Sequence, residues 1–215
     1  MFHKSPPKQL LYIDEHPVCQ HGLESMLKDD PQWEVCRRAS SENRRELPKS
    51  IDLAIVEITS SRPQGIAVVK ELRSVYPQTP ILVLSSYDET IYADRCLKSG
   101  AQGYAMKSSS MQELKRAIDL VSQGELYVSE KVKSLMIDRL ANPSGPEAKP
   151  TFQNLSDREL LIVEQIGLSK NNKEIAQALQ ISVKTIESHR SRIKAKLQLD
   201  SPQELMRYAM RLHYF

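Results

Sequence analysis

Five short apolar runs, separated by stretches of helical periodicity, constrain the fold of this chain more than any other feature. Residues 10–13 (LLYI), 33–36 (WEVC), 53–56 (LAIV), 81–84 (ILVL) and the weaker 103–106 (GYAM) have the length and composition of strands. Residues 22–28, 66–75, 90–97 and 112–121 instead space their apolar side chains for helices; in the second of these, Ile66, Val69 and Leu72 share one face. Residues 41–50 are polar and patternless, so a helix there has little local support. Strand alternating with helix predicts an α/β architecture over residues 1–124, a doubly wound, five-stranded parallel sheet.

In such a sheet, binding groups gather beyond the carboxyl ends of the strands. The residues that follow the apolar runs are Asp14 and Glu15, then Glu57, then Ser85, then Lys107. Singly, an Asp after a strand is often a turn or helix cap, and a late lysine is usually just exposed. Four strand ends that together present acids, a hydroxyl and an amine point to a site.

The remainder of the chain changes character. Residues 125–140 read as a short extended piece and then a helix carrying Val132, Leu135, Met136 and Leu140, while 141–150 (ANPSGPEAKP) is a helix-breaking linker. A small all-α domain is expected over residues 151–215. Its centre is a pair of amphipathic helices around a polar turn: Ile175, Ala176 and Leu179 on the first, residues 180–182 as the turn, and a second helix from 183 to about 197. Ile186, Ile193 and Leu197 stack on one face of that second helix. The opposite face carries Lys184, Ser188, Ser191 and Ala195, flanked by Glu187, Thr185, Arg192, Lys194 and Lys196. A helix that is small and polar at its centre and basic at its margins fits a major groove, with base edges in the middle and phosphates at the rims. Charge agrees: residues 1–124 hold 16 Lys/Arg against 16 Asp/Glu, whereas residues 151–215 hold 10 against 7, so the net +3 sits in this part. So small an excess gives a monomer little sequence-blind affinity, and a homodimer on double-stranded DNA is expected.

Residues 155–159 (LSDRE), 172–176 (NKEIA), and Ile181, Ser182, Lys184, Thr185, Ile186, His189, Arg190, Ile193, Lys196 and Leu197 resemble the LuxR-type helix-turn-helix. The family usually has Gly at the end of the first long helix, where Ser169 stands here; Asn171 or Asn172 is expected to take the left-handed conformation instead. The resemblance carries base contacts to Glu187, Ser188 and Ser191. Phosphate contacts fall to Lys184, Thr185, Arg192, Lys194 and Lys196, with Arg190 reaching a phosphate from nearer the packed face. His189 is read as structural. The last helix, from 202 to about 212, is read as core, and the resemblance implies that part of it pairs with a second copy.

The first 124 residues resemble the receiver domain of two-component response regulators. Residues 13–17 (IDEHP) are similar to its first acidic motif, and 98–107 (KSGAQGYAMK) to the segment ending in its lysine. The resemblance makes Ser85 and Tyr104 the switch residues and Lys107 the phosphoryl contact. As a whole the chain resembles NarL/FixJ-type response regulators. It departs from them at residues 52–65 (DLAIVEITSSRPQG), where Glu57 stands in the place of the phospho-acceptor Asp. Glu carries its carboxylate one methylene further out, and phosphotransfer needs reacting atoms held within about 3–3.5 Å and aligned. Ordinary aspartyl phosphorylation is therefore not expected. Glu57 either imitates the phosphorylated state by meeting Lys107 and Ser85, or is inert in a pseudo-receiver kept for protein contacts; a conventionally phosphorylated switch is the alternative to both. Asp14, Glu15 and Glu57, with the carbonyl of Thr59, are the groups the resemblance offers to Mg²⁺, and the longer Glu57 predicts weak binding or none. Clustered acids without a cation are also expected to raise one carboxyl pKa.

No cofactor is required, no catalytic residues stand out, and the chain is not expected to be an enzyme. A sensor kinase or another protein regulator is the expected protein partner. Cys19, Cys36 and Cys96 are scattered and odd in number, which fits a reduced, cytoplasmic protein, and no apolar run approaches membrane-spanning length.

Overall fold

The computed structural model describes residues 6–38, 48–58, 66–141 and 151–212. Residues 41–47 of the patternless stretch, Thr59 and linker residues 142–150 lie outside them. The chain divides into two compact units: one comprises residues up to Ile58, Ile66–Ser86 and Cys96–Glu130, the other Tyr87–Arg95 and residues from Lys131 onward.

Strands β1 (Lys8–Ile13), β2 (Trp33–Arg38), β3 (Leu53–Val56), β4 (Ile81–Ser85) and β5 (Gly103–Met106) form one sheet in the order β2-β1-β3-β4-β5. Every neighbouring pair is parallel, as the alternation predicts. Helices α1 (Pro17–Leu27), α2 (Ala67–Val75), α3 (Glu89–Lys98), α4 (Met111–Ser122) and α5 (Glu130–Ala141) intervene or follow. The first helix begins five residues before the periodicity places it, because Pro17 pre-sets the backbone angle of an opening turn. β3 and β4 are buried along their whole length, the pattern of strands covered on both faces. On one face Leu10, Tyr12, Leu53, Ile55, Leu82, Leu84 and Ala105 pack with Leu23, Met26 and Leu27 of α1 and Ala117, Ile118 and Val121 of α4. The extended piece expected near residue 125 is a single parallel bridge, Tyr127 to Gly103.

Arg73, on α2, fastens the end of the sheet where β4 begins. Its Nη1 donates to the carbonyls of Pro77 (2.8 Å) and Thr79 (2.9 Å), and its Nη2 to the carbonyl of Gly100 (2.7 Å) and Oε1 of Gln102 (2.9 Å). Gly100 has φ +106, a conformation that favours glycine, and a Cβ there would lie 3.2 Å from Arg73 Nε, a tight approach to the fork.

The second unit continues with a 3-10 turn (Phe152–Asn154) and helices α6 (Asp157–Gly167), α7 (Asn172–Ala178), α8 (Val183–Leu197) and α9 (Pro202–Met210). Ser156, Asn171 and Ser201 open α6, α7 and α9 with capping boxes, their partners being Glu159, Glu174 and Glu204. Leu160, Ile162, Ile166, Ile175, Ile186, Ile193 and Leu205 form the buried interior, and the rings of Phe152 and Tyr208 meet at 4.5 Å.

The end of α6 corrects one expectation. Ser169 itself is left-handed (φ 60°), and neither asparagine takes over: Asn171 is extended and caps α7, and Asn172 is its first residue. Lys170 N donates to the Gln165 carbonyl (3.2 Å) and Ser169 N to that of Ile166 (2.9 Å), a complete Schellman closure. These two bonds satisfy carbonyls that the helix leaves open, and they hold a serine where glycine is preferred. Gln180 closes α7 in the same conformation (φ 53°). Ser169→Gly is expected to stabilise the protein by roughly 0.5–1 kcal/mol, the relief of left-handed strain less glycine's added unfolded-state entropy. Chemical denaturation measures this, and a neutral or negative change would count against strain at that turn.

Candidate functional site

The register of the sheet aligns four strand ends. Ile13 pairs with Val56, Val56 with Val83, and Ser85 with Met106, so Asp14, Glu57, Ser85 and Lys107 emerge side by side at the carboxyl edge. Backbone bonds fix their heights: Glu57 N donates to the Ile13 carbonyl and Lys107 N to that of Ser85, both at 2.8 Å.

Lys107 Nζ lies 2.8 Å from Asp14 Oδ2 and is also ion-paired with Glu57 Oε1. Asp14 is wholly buried and Glu57 nearly so. The Tyr12 hydroxyl donates to Asp14 Oδ2 (2.6 Å), and the His16 amide to Asp14 Oδ1 (2.7 Å). His16 Nδ1 stands 3.0 Å from Asp14 Oδ1 and 3.2 Å from Glu57 Oε2. Lys107 Nζ lies 3.4 Å from the same nitrogen, so the His16 ring sits among both carboxylates and the ammonium.

The electrostatics follow. Burial alone would raise the Asp14 carboxyl, but hydrogen bonds from Lys107, Tyr12 and His16 more than offset it and hold the group at about 2. Burial pushes Glu57 up; Lys107 opposes and Asp14 adds, and the net direction is upward. Burial would lower the Lys107 ammonium, yet bonds to Asp14 and Glu57 and their charge carry it above its ordinary value. Burial first, then Asp14, raises the Tyr12 hydroxyl, which therefore stays protonated as a donor.

The other residues read from the sequence fall as follows. The Ser85 hydroxyl donates to the Ile58 carbonyl at 3.2 Å, and Tyr104 is buried within β5. Glu15 is exposed, and the third group brought near the two acids is His16, not Glu15: ligating atoms of Asp14, His16 and Glu57 lie within 4.8 Å of one another. Sequence reasoning missed Tyr12 and His16. The signal for Tyr12 is its spacing of two from Asp14 on a strand, which puts both side chains on one face.

On α8, Ile186, Ile193 and Leu197 are buried. Lys184, Glu187, Ser188, Ser191, Arg192 and Lys196 are exposed, with Thr185, His189, Arg190 and Lys194 half-buried. Ser182 caps the helix through Thr185 N (3.0 Å). Lys196 Nζ lies 2.7 Å from the buried carboxylate of Glu159, so its charge is already engaged. Burial, then Arg192 and Arg158, lowers the His189 imidazole, and its Nδ1 is enclosed without a hydrogen-bond partner. Lys173 of α7, a cation that sequence reasoning left aside, lines an open groove with Glu187 and Arg190.

Among the described residues, no helix is long and apolar enough to cross a membrane. Comparison with known families matches residues 10–119 to the response regulator receiver domain and residues 153–209 to the bacterial regulatory proteins of the luxR family. The oxygen regulatory protein NreC of Staphylococcus epidermidis is 32% identical over 211 residues, covering 94% of this chain and 97% of that protein. NreC of Staphylococcus carnosus is 30% identical over 210 residues, with the same coverage of 94% and 97%. A Salmonella typhimurium RcsB response regulator structure aligns with TM-score 0.72 at 18% identity, covering 96% of this chain and 98% of the other. RcsB from Salmonella enterica serovar Typhimurium, solved bound to the rprA promoter with phosphomimetic BeF3−, aligns with TM-score 0.69 at 21% identity, covering 95% and 98%.

Proposed function

This chain belongs to the response regulators that join a receiver domain to a luxR-family DNA-binding domain, and we propose that it is a sequence-specific transcriptional regulator whose receiver works without ordinary aspartyl phosphorylation. The observation that carries the second part is the ion pair of Lys107 with Asp14 and Glu57. Glu57 fills the acceptor position with a built-in negative charge, and Lys107 meets that charge directly. Acetyl phosphate with Mg²⁺, followed by intact mass, tests this: no adduct is expected on Glu57 and operator affinity stays unchanged. A phosphate on Glu57 would overturn it.

For the output domain, the reading is that α8 lies in the major groove. Glu187, Ser188 and Ser191 face base edges, and Lys184, Thr185, Arg190, Arg192 and Lys194 face phosphates. Support comes from the exposure of the polar stripe opposite buried Ile186, Ile193 and Leu197. Lys196 is a weaker phosphate contact, since binding DNA would have to draw it from Glu159. Two copies are expected on a two-half-site operator, and a sensor kinase or other protein regulator is the proposed upstream partner. Arg192→Ala is expected to weaken binding to all sequences alike and to flatten the log–log salt slope by about 0.9 per half-site. Salt-dependent retardation of specific and random duplexes measures both; altered sequence preference with an unchanged slope would move Arg192 to the base-reading face.

A further inference from the structure

The family resemblance implies a divalent cation beside the strand-end carboxylates, and Asp14, His16 and Glu57, the groups gathered there among the described residues, do not fit one. Spacing is not the obstacle, because Asp14, His16 and Glu57 bring ligating atoms within 4.8 Å of one another. The obstacle is that those atoms are already engaged. A carboxylate offers about four lone-pair positions. Asp14 has three donors on them, Tyr12 Oη (2.6 Å) and Lys107 Nζ (2.8 Å) on Oδ2 and the His16 amide (2.7 Å) on Oδ1, and His16 Nδ1 stands 3.0 Å from Oδ1. Asp14 is fully buried and has no solvent side to turn toward a metal. Glu57 gives one oxygen to Lys107 and the other to His16. Mg²⁺ demands near-octahedral oxygens at about 2.0–2.1 Å and dehydrates reluctantly. Its entry would expel the ammonium and break the tyrosine or histidine bond.

We infer that the Lys107 ammonium, with the Tyr12 hydroxyl and the His16 ring, occupies the place of a divalent cation and holds the carboxyl edge of this sheet in one cation-independent arrangement. Lys107 supplies positive charge to both carboxylates; Tyr12 and His16 supply the remaining coordination of Asp14 as hydrogen bonds. The inference rests on the proposal that this receiver runs without phosphotransfer.

The experiment is a Mn²⁺ titration of the full-length protein followed by electron paramagnetic resonance, beside thermal melts with and without Mg²⁺. Wild-type protein is expected to leave the free Mn²⁺ signal undiminished and to melt at the same temperature with Mg²⁺ or EDTA. Lys107→Gln takes the ammonium from both carboxylates, and its Mn²⁺ affinity is expected to rise by about tenfold or more, with Mg²⁺ restoring lost thermal stability. Stoichiometric Mn²⁺ uptake or a Mg²⁺-dependent melt in the wild type overturns the inference, as does a folded Lys107→Gln that takes up no Mn²⁺. If that variant does not fold even with cation, the wild-type titration decides alone. Mn²⁺ uptake without a phosphate adduct defeats only this inference; an adduct on Glu57 defeats the proposed function as well.

Discussion

Replacing Lys107 by methionine is expected to destabilise the sheet unit by about 3–5 kcal/mol at neutral pH, the range seen when one partner of a buried ion pair is removed. The size follows from what is left behind. Asp14 is 0% exposed and Glu57 3%, so two carboxylates face each other without a counter-charge where water cannot screen them. Trp33, the single tryptophan and part of β2, reports unfolding of this unit in a denaturant titration. A loss below about 1 kcal/mol would remove the ion pair from the account. The pH dependence separates variant from wild type by sign. In the wild type, Asp14 is held at about 2, below its ordinary 3.8. It therefore contributes stability above roughly pH 4 that is lost as pH falls through 2. In Lys107→Met the like charges raise the folded carboxyl pKa values, so stability recovers as pH falls and a shared proton takes the place of the ammonium.

Arg73→Ala is expected to cost about 2–4 kcal/mol, because it removes a charged fork that satisfies four acceptors together, most of them partly buried. Three carbonyls, from Pro77, Thr79 and Gly100, and the Gln102 side chain each lose one donor at once. Gln102 Oε1 also accepts from Ile81 N (2.8 Å), so the start of β4 loosens with it. Arg73→Lys is expected to recover little, since one ammonium cannot span acceptors placed for two guanidinium nitrogens. Equilibrium unfolding of the two variants checks this; full rescue by lysine would show that charge alone matters there.

Much of this molecule is legible in its sequence, and what is not has identifiable causes. The sheet is legible because β3 and β4 are buried along their length and so are apolar without interruption. Asp14, Glu57, Ser85 and Lys107 are legible because parallel register turns "the residue after a strand" into a location. Tyr12 is not, because it counts as one more large residue in an apolar run; only its placement two residues from an acid reveals a hydroxyl with somewhere to go. His16 hides in the same way as an apparent helix-start residue, although its amide and ring both return to Asp14. The ion pair of Lys196 is not legible either: an i-to-i+4 helical count places the residue on the exposed rim, where it stands, but cannot reveal that Glu159, thirty-seven residues earlier, pairs with its ammonium. Ser169 is the opposite lesson, since the expected glycine conformation is kept and the residue tolerates it.

Lys107 follows one strand, and its two acids follow two others drawn from distant parts of the chain. Parallel strands ordinarily fray at their tips, each giving way independently of its neighbours. Here the tip of β5 cannot part from β1 or β3 without stripping an ammonium from two buried acids. That edge of the sheet therefore opens as a whole or stays shut, and slow amide exchange at Glu57 and Lys107 should decay at one common rate.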